Sequence, residues 1–192
     1  MFPREKDFER EIAAAHRAFP MVPVNIIKAI IAAESGFDPQ AFRAEPQLKD
    51  ASRGLMQLLF TTAKSVGYAG RPDGLFLPAV NIYYGTKHLA NLVMQLREWD
   101  RAISAYNGGL RPELGFGARA PRPLRICRAR AASGQCVRWE TVAAGQFANQ
   151  AYVDRVRRYH RYFVKGPAKA GPLLLLLPLV GALALKGGGG LL

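Results

Sequence analysis

The chain has 192 residues, enough for one domain with its own core plus appendages but too few for two full-sized domains, so a single site is expected. Apolar residues at 49% and charged residues at 21% exclude a chain that is disordered throughout. Twenty-seven Lys and Arg against fourteen Asp and Glu give a net charge of +13, which favours a polyanionic partner such as nucleic acid, an anionic membrane or acidic cell wall, although a solvated Arg-rich surface meets the same balance.

The N-terminal stretch is charged and helix-prone, with Phe8, Ile12, Ala15 and Phe19 at helical spacing. It has no apolar signal-peptide core, so export from the cytoplasm would take another route. Pro23 opens a helix carrying Ile27, Ile30 and Ile31, and Gly36 followed by Pro39 closes it. Further helices are expected over Phe60 to Val66, Ala79 to Trp99, Ala102 to Tyr106, and Gln150 to Phe163, the last with Tyr152, Val156, Tyr159 and Phe163 on one side. Between Leu110 and Asn149 the Gly, Pro and Arg content predicts an irregular insertion, with one hairpin around Cys127 and Cys136. The two cysteines are read either as a hairpin disulfide, which would imply an oxidising compartment, or as free thiols; the bridge is the favoured reading. With no paired cysteine motif and with His16, His88 and His160 scattered, no metal and no cofactor is predicted. After Gly166-Pro167 comes a hydrophobic tail whose uncharged stretch, 170–185, is shorter than the roughly 20 residues of a spanning helix and is interrupted by Pro178. Membrane insertion or interfacial anchoring is expected of it, with docking on a protein as the alternative. The organisation is therefore an N-terminal helix over 1–19, a mainly α, all-helical domain over 20–165, and a Gly/Leu-rich tail over 166–192.

Glu34 lies four residues after Ile30 and three after Ile31, so its carboxyl falls on the apolar face of its helix. Desolvation there raises a carboxyl pKa, as a general acid working near neutral pH requires, although a solvent-facing or capping Glu at a helix end fits the same position. The words around it carry more. In order they are Glu34-Ser35-Gly36-Phe37-Asp38-Pro39, Gly54-Leu55-Met56-Gln57, Asn81-Ile82 with Gly85, Ala105-Tyr106-Asn107-Gly108-Gly109 and Tyr152-Val153. Together, over Pro20 to Phe163, they resemble the soluble lytic transglycosylase (SLT) domain, a branch of the lysozyme superfamily.

That resemblance implies a lysozyme-like helical fold acting on the glycan strands of peptidoglycan. Glu34 would be the single acid and base, the N-acetyl oxygen of muramic acid would steady the developing cation, and the sugar's own 6-hydroxyl would close a 1,6-anhydro ring without water. It further implies that Ser35, Met56, Gln57, Tyr106, Asn107 and Tyr152 bind substrate, with local capping by Ser35 and core packing of Met56 as structural alternatives. Gly54, Gly108 and Gly109 are read as permitting backbone turns. Two departures stand out: Gly108 fills a place where Ala is frequent, and Gln150-Ala151 stands where a Glu-Thr pair is common, which leaves any role of Glu140 in doubt. Asp50, Glu113 and Glu140 have no assigned place, and an Asp in the loop before Gly54 could make the enzyme a hydrolase. A non-catalytic glycan-gripping module is the second reading. No nucleic-acid-binding motif supports the third, so no nucleic-acid partner is predicted. A phage or virion setting and a bacterial one suit the chain almost equally, and the oligomeric state is not legible.

Overall fold

A computed structural model describes residues 2–166; the tail and the membrane contact expected through 170–185 lie outside the described residues. Its elements are α1 (Glu9–Ala18), α2 (Val24–Glu34), β1 (Phe42–Glu45), β2 (Asp50–Arg53), β3 (Leu58–Leu59), α3 (Phe60–Ser65), α4 (Pro78–Leu96), α5 (Trp99–Gly108), β4 (Leu124–Arg130), β5 (Cys136–Val142) and α6 (Gln150–Lys165). The fold is mainly α. Its organising element is α2, which starts behind Pro23 and buries Ile26, Ile27, Ala29, Ile30, Ile31 and Ala32. A helix apolar nearly all round has to be enclosed by others, and α6 and α1 pack directly against it.

The end of α2 is held as firmly as its middle. Gly36 and Phe37 take left-handed φ values of 61° and 70°, reversing the chain within one turn. A phenylalanine in that conformation is strained by about 1–2 kcal/mol. Burying the ring completely offsets this, since Phe37 lies against Phe2 at 5.4 Å and Phe163 at 6.1 Å between ring centres.

The sequence reading contained no strands between α2 and α3, yet β1, β2 and β3 form an antiparallel sheet in which Phe42 pairs with Arg53 and Arg53 with Leu58. The segments Phe-Arg-Ala-Glu and Asp-Ala-Ser-Arg are short and polar and lack the apolar alternation that marks a half-buried strand. The helix expected over Ala79 to Trp99 also divides. Arg97 adopts a left-handed φ of 54°, α4 ends at Leu96, and Trp99 opens α5.

The Arg-rich insertion is more ordered than its composition suggests. β4 and β5 form a hairpin joined by the Cys127–Cys136 disulfide, over a small core of Ala120, Ile126, Val142 and Ala148. Its root is tied to the helical body by Asn149, whose amide donates to the Ser104 carbonyl (3.0 Å) and whose oxygen accepts from the Ser104 hydroxyl (2.7 Å). Below this, the buried carboxylate of Asp100 accepts hydrogen bonds from both Arg119 and Arg157, joining α5, α6 and the insertion. Gly108 belongs to this docking and not to a turn: it lies inside α5, and an added Cβ would stand 1.8 Å from the Phe116 ring. Gly109, at φ 74°, makes the turn.

Candidate active site

The helical body and the small sheet enclose a cleft of about 600 Å³. Glu34 lies in it at the C-terminal end of α2, Glu45 and Ser52 face it from the sheet, His88, Leu92 and Gln95 from one side of α4, and Tyr106 and Asn107 from the end of α5. The Glu34 carboxyl is largely enclosed by protein, and burial pushes its pKa from 4.5 up to about 7; the hydrogen bond from Tyr152 and the charges of Arg43 and Arg155 act in the opposite direction. The Tyr152 hydroxyl donates to Glu34 Oε1 at 2.6 Å. Burial and the neighbouring carboxylate raise the pKa of both Tyr152 and Tyr106 well above the usual phenol value, so both are neutral donors.

Packed beside the end of α2 is the Gly54-Leu55-Met56-Gln57 loop, which contributes Gln57 to the cleft and is braced by a buried amide. Asn81 accepts from the Met56 N–H (2.7 Å) and donates to the carbonyls of Arg53 (2.8 Å) and Leu75 (2.7 Å). Gly54 is required here: its φ is 69°, and a Cβ would sit 2.5 Å from the Leu75 carbonyl oxygen. The same loop takes the Ser35 hydroxyl on the Leu55 carbonyl (2.7 Å) and the Tyr106 hydroxyl on the Met56 carbonyl (3.0 Å). Three segments distant in sequence are thereby fastened around one carboxyl.

The residues singled out by sequence thus divide. Glu34, Gln57, Tyr106 and Asn107 line the cleft. Ser35 is committed to carbonyl groups, giving its hydroxyl to Leu55 and to Ile31. The Met56 side chain is corrected from cleft wall to core: it is fully buried against Gly85 and Thr86, and only its backbone serves the site. Tyr152 is buried and reaches Glu34 through its hydroxyl. Asp50 is no free base. Its two oxygens accept from the N–H groups of Ala51 and Thr61, the Thr61 hydroxyl and Arg53, and these bonds hold its pKa down at about 2 against the opposing effect of burial. Glu140 is fully exposed and pairs with Arg128.

Among the cleft residues that sequence reasoning missed, Arg43, Glu45 and His88 bear most on the chemistry. Arg43 and Glu45 pair at 2.6 Å on β1, and Glu45 also accepts from Gln47 and Ser52; they were invisible because the strand itself was. His88 lies beside the Tyr106 ring at 5.4 Å, and burial lowers its pKa to about 4, leaving a neutral imidazole. Its signal was the spacing of His88, Leu92 and Gln95, one turn apart on a single side of α4.

Residues 11–116 match the transglycosylase SLT domain family. The chain belongs to that family. Among solved structures, the SLT domain resembles the 70-kDa soluble lytic transglycosylase of Escherichia coli, with 23% identity over 85% of this chain and 25% of that one at a TM-score of 0.56. The complex of the 70-kDa soluble lytic transglycosylase with bulgecin A gives 22% identity, the same coverages and a TM-score of 0.57. An inactive mutant of the lytic transglycosylase Slt from Pseudomonas aeruginosa matches over 56% of this chain and 17% of that one, with 27% identity and a TM-score of 0.48. The chain therefore spans a quarter or less of the length of these proteins, and at such identity the likeness bears on the fold.

The Tyr152 bond generates a pH prediction. A general acid must be protonated, so activity through Glu34 falls as pH rises through about 7. Tyr152→Phe removes a bond that favours the carboxylate, so the folded-state pKa of Glu34 rises. The alkaline limb of the rate profile is expected to move up by about one pH unit, the equivalent of a hydrogen bond worth about 1 kcal/mol. A limb that stays in place or moves to lower pH contradicts this role.

Proposed function

We propose that this SLT domain is a peptidoglycan lytic transglycosylase that cleaves the β-1,4 bond between N-acetylmuramic acid and N-acetylglucosamine. The observation that carries the reading is one carboxyl, Glu34, half-buried in a saccharide-sized cleft and poised to hold a proton near pH 7. Glu34 gives its proton to the glycosidic oxygen as the bond to C1 breaks, and the acetamido oxygen of the muramic residue meets the charge growing at C1. The carboxylate then takes the proton of that sugar's 6-hydroxyl as its oxygen bonds to C1, which closes the 1,6-anhydro ring and returns Glu34 to its starting state. No water is consumed. Tyr152, a neutral phenol whose hydroxyl donates to Glu34, steadies the carboxylate form between the two transfers, and Tyr106 braces the neighbouring loop through the Met56 carbonyl. Gln57, Asn107 and His88 offer uncharged polar groups to the sugars.

Hydrolysis by a lysozyme of the same fold is the second reading, and one observation favours it: Glu45 also faces the cleft. Against it, the oxygens of Glu45 already accept from Arg43, Gln47 and Ser52, and Asp50 is sealed by its own donors. The distinguishing measurement is mass spectrometry of the fragments released from purified peptidoglycan. Anhydromuramic ends from the wild type, reduced at least a hundredfold in Glu34→Gln, are expected from the size of general acid-base effects, about 10²–10⁴. Reducing ends would establish the hydrolase, and intact wall under conditions where a lysozyme works would leave a glycan-gripping module.

The setting follows as a finer part of the proposal: cell-wall degradation or remodelling, by a phage or its virion or by a bacterium, at the wall and held near a membrane by 170–185. No helix among the described residues is long and apolar enough to cross a membrane. Removing everything beyond Lys165 is expected to release the protein from sedimenting vesicles, and unchanged sedimentation would end the anchor proposal.

A further inference from the structure

We propose that the exposed face of α6 lies on an anionic lipid surface, so that the domain sits on a membrane in one orientation with Glu34 on the far side of that helix. This extends the membrane setting proposed above and depends neither on the tail nor on the activity. One side of α6 buries Tyr152, Val153 and Val156, with Tyr159 and Phe163 packed against the same core. The opposite side carries Arg155, Arg158, Arg161 and Lys165, all exposed and three or four residues apart, a line of about 15 Å at 1.5 Å per residue. None of the four forms an ion pair among the described residues, whereas Arg157 is spent on Asp100. The one carboxylate on this helix, Asp154, accepts from Gln150, and from Arg155 through Leu192 the sequence has no Asp or Glu.

Like charges one helical turn apart repel each other. The helix dipole accommodates Lys165 in the last turn but not Arg155 and Arg158, two turns or more before it. A layer of anionic headgroups relieves that repulsion. The flanks of the ridge select lipid over a linear polyanion: Tyr162 is half-buried and Val164 exposed, and an amphipathic ring and an apolar side chain gain contact at headgroup depth that a phosphate chain does not offer. In sequence the helix leads through Gly166 to the uncharged stretch 170–185, which suits the same surface.

The orientation follows from the packing. α2 lies against the buried side of α6, and the Tyr152 hydroxyl reaches Glu34 from that side. With its exposed face on the headgroups, α6 is the layer between lipid and acid. Its thickness with side chains, about 10–12 Å, sets the least height above the membrane at which Glu34 works. Each cation near an anionic leaflet adds modestly to binding, so the stripe orients the domain more than it anchors it.

The test is sedimentation of the full chain with vesicles of phosphatidylcholine alone and of equal parts phosphatidylcholine and phosphatidylglycerol. Tighter binding to the anionic vesicles is expected, by a margin that shrinks as salt rises. Arg158→Glu with Arg161→Glu should cut that margin at least about tenfold and leave binding to neutral vesicles, which reports the tail, unchanged. Arg155 is left intact because its charge also acts on Glu34. The neutralising pair Arg158→Gln with Arg161→Gln should give an intermediate loss, a grading that a folding defect would not produce. Arg122→Glu with Arg138→Glu, also exposed, makes the same change in net charge and should cost far less. No preference for the anionic vesicles, or an equal loss from both Glu pairs, overturns the stripe. Soluble polyphosphate bound as tightly as the vesicles, and lost in the same α6 variants, overturns the lipid assignment in favour of a linear polyanion. Failure of the tail to hold the protein on neutral vesicles would sink the anchor alone and leave this comparison standing.

Discussion

The structure depends on placing one carboxyl, half-buried, at the edge of a cleft where protein replaces much of its water. Burial raises the cost of charging Glu34, while Tyr152, Arg43 and Arg155 lower it, and the balance leaves the group near pH 7 and not at either extreme. Complete burial without partners would keep the acid permanently protonated and useless as a base. Full exposure would return it to an ordinary, ionised Glu. The fold supplies the intermediate condition by ending an apolar helix at the edge of a cleft.

Much of the remaining architecture holds that arrangement still. The left-handed turn at Gly36 and Phe37 anchors the end of α2 in the core. Asn81 fixes the neighbouring loop through three hydrogen bonds, and Ser35 and Tyr106 tie two further segments to the same loop. Because these buried polar groups are satisfied by one another, loss of one leaves its partners unpaired, at a cost of about 1–3 kcal/mol each. The insertion has a part in this as well: it is docked on α5 through Ser104 and Asn149, immediately before the helix that delivers Tyr152.

What could be read from sequence followed the strength of the physical signal. The position of α2 was legible from its isoleucines, whereas the role of Glu34 was legible only from the words around it, since a Glu at a helix end fits a solvent-facing or capping position as well. The stripe on α6 was legible from its spacing, as α2 was, although only coordinates reveal that the Tyr152 hydroxyl meets Glu34 118 residues away. The three-stranded sheet was not legible, since its strands are short, polar and stabilised by their neighbours, and Arg43 and Glu45 were lost with it. Met56 and Gly108 were placed in the right neighbourhood with the wrong duty. A methionine suits a core gap as readily as a cleft wall, and a glycine can be required by a ring packed against it as readily as by a turn.

The central claim is that Glu34 carries a proton close to neutral pH in the folded protein. Carbon-13 NMR titration of the glutamate side-chain carboxyls, with Glu34 identified by its absence in Glu34→Gln, measures this directly. A midpoint near 7, well separated from the other glutamates, is the expected result. A midpoint at the ordinary 4.5 would contradict the account, because the cleft would then hold an ionised carboxylate at working pH with no proton to give.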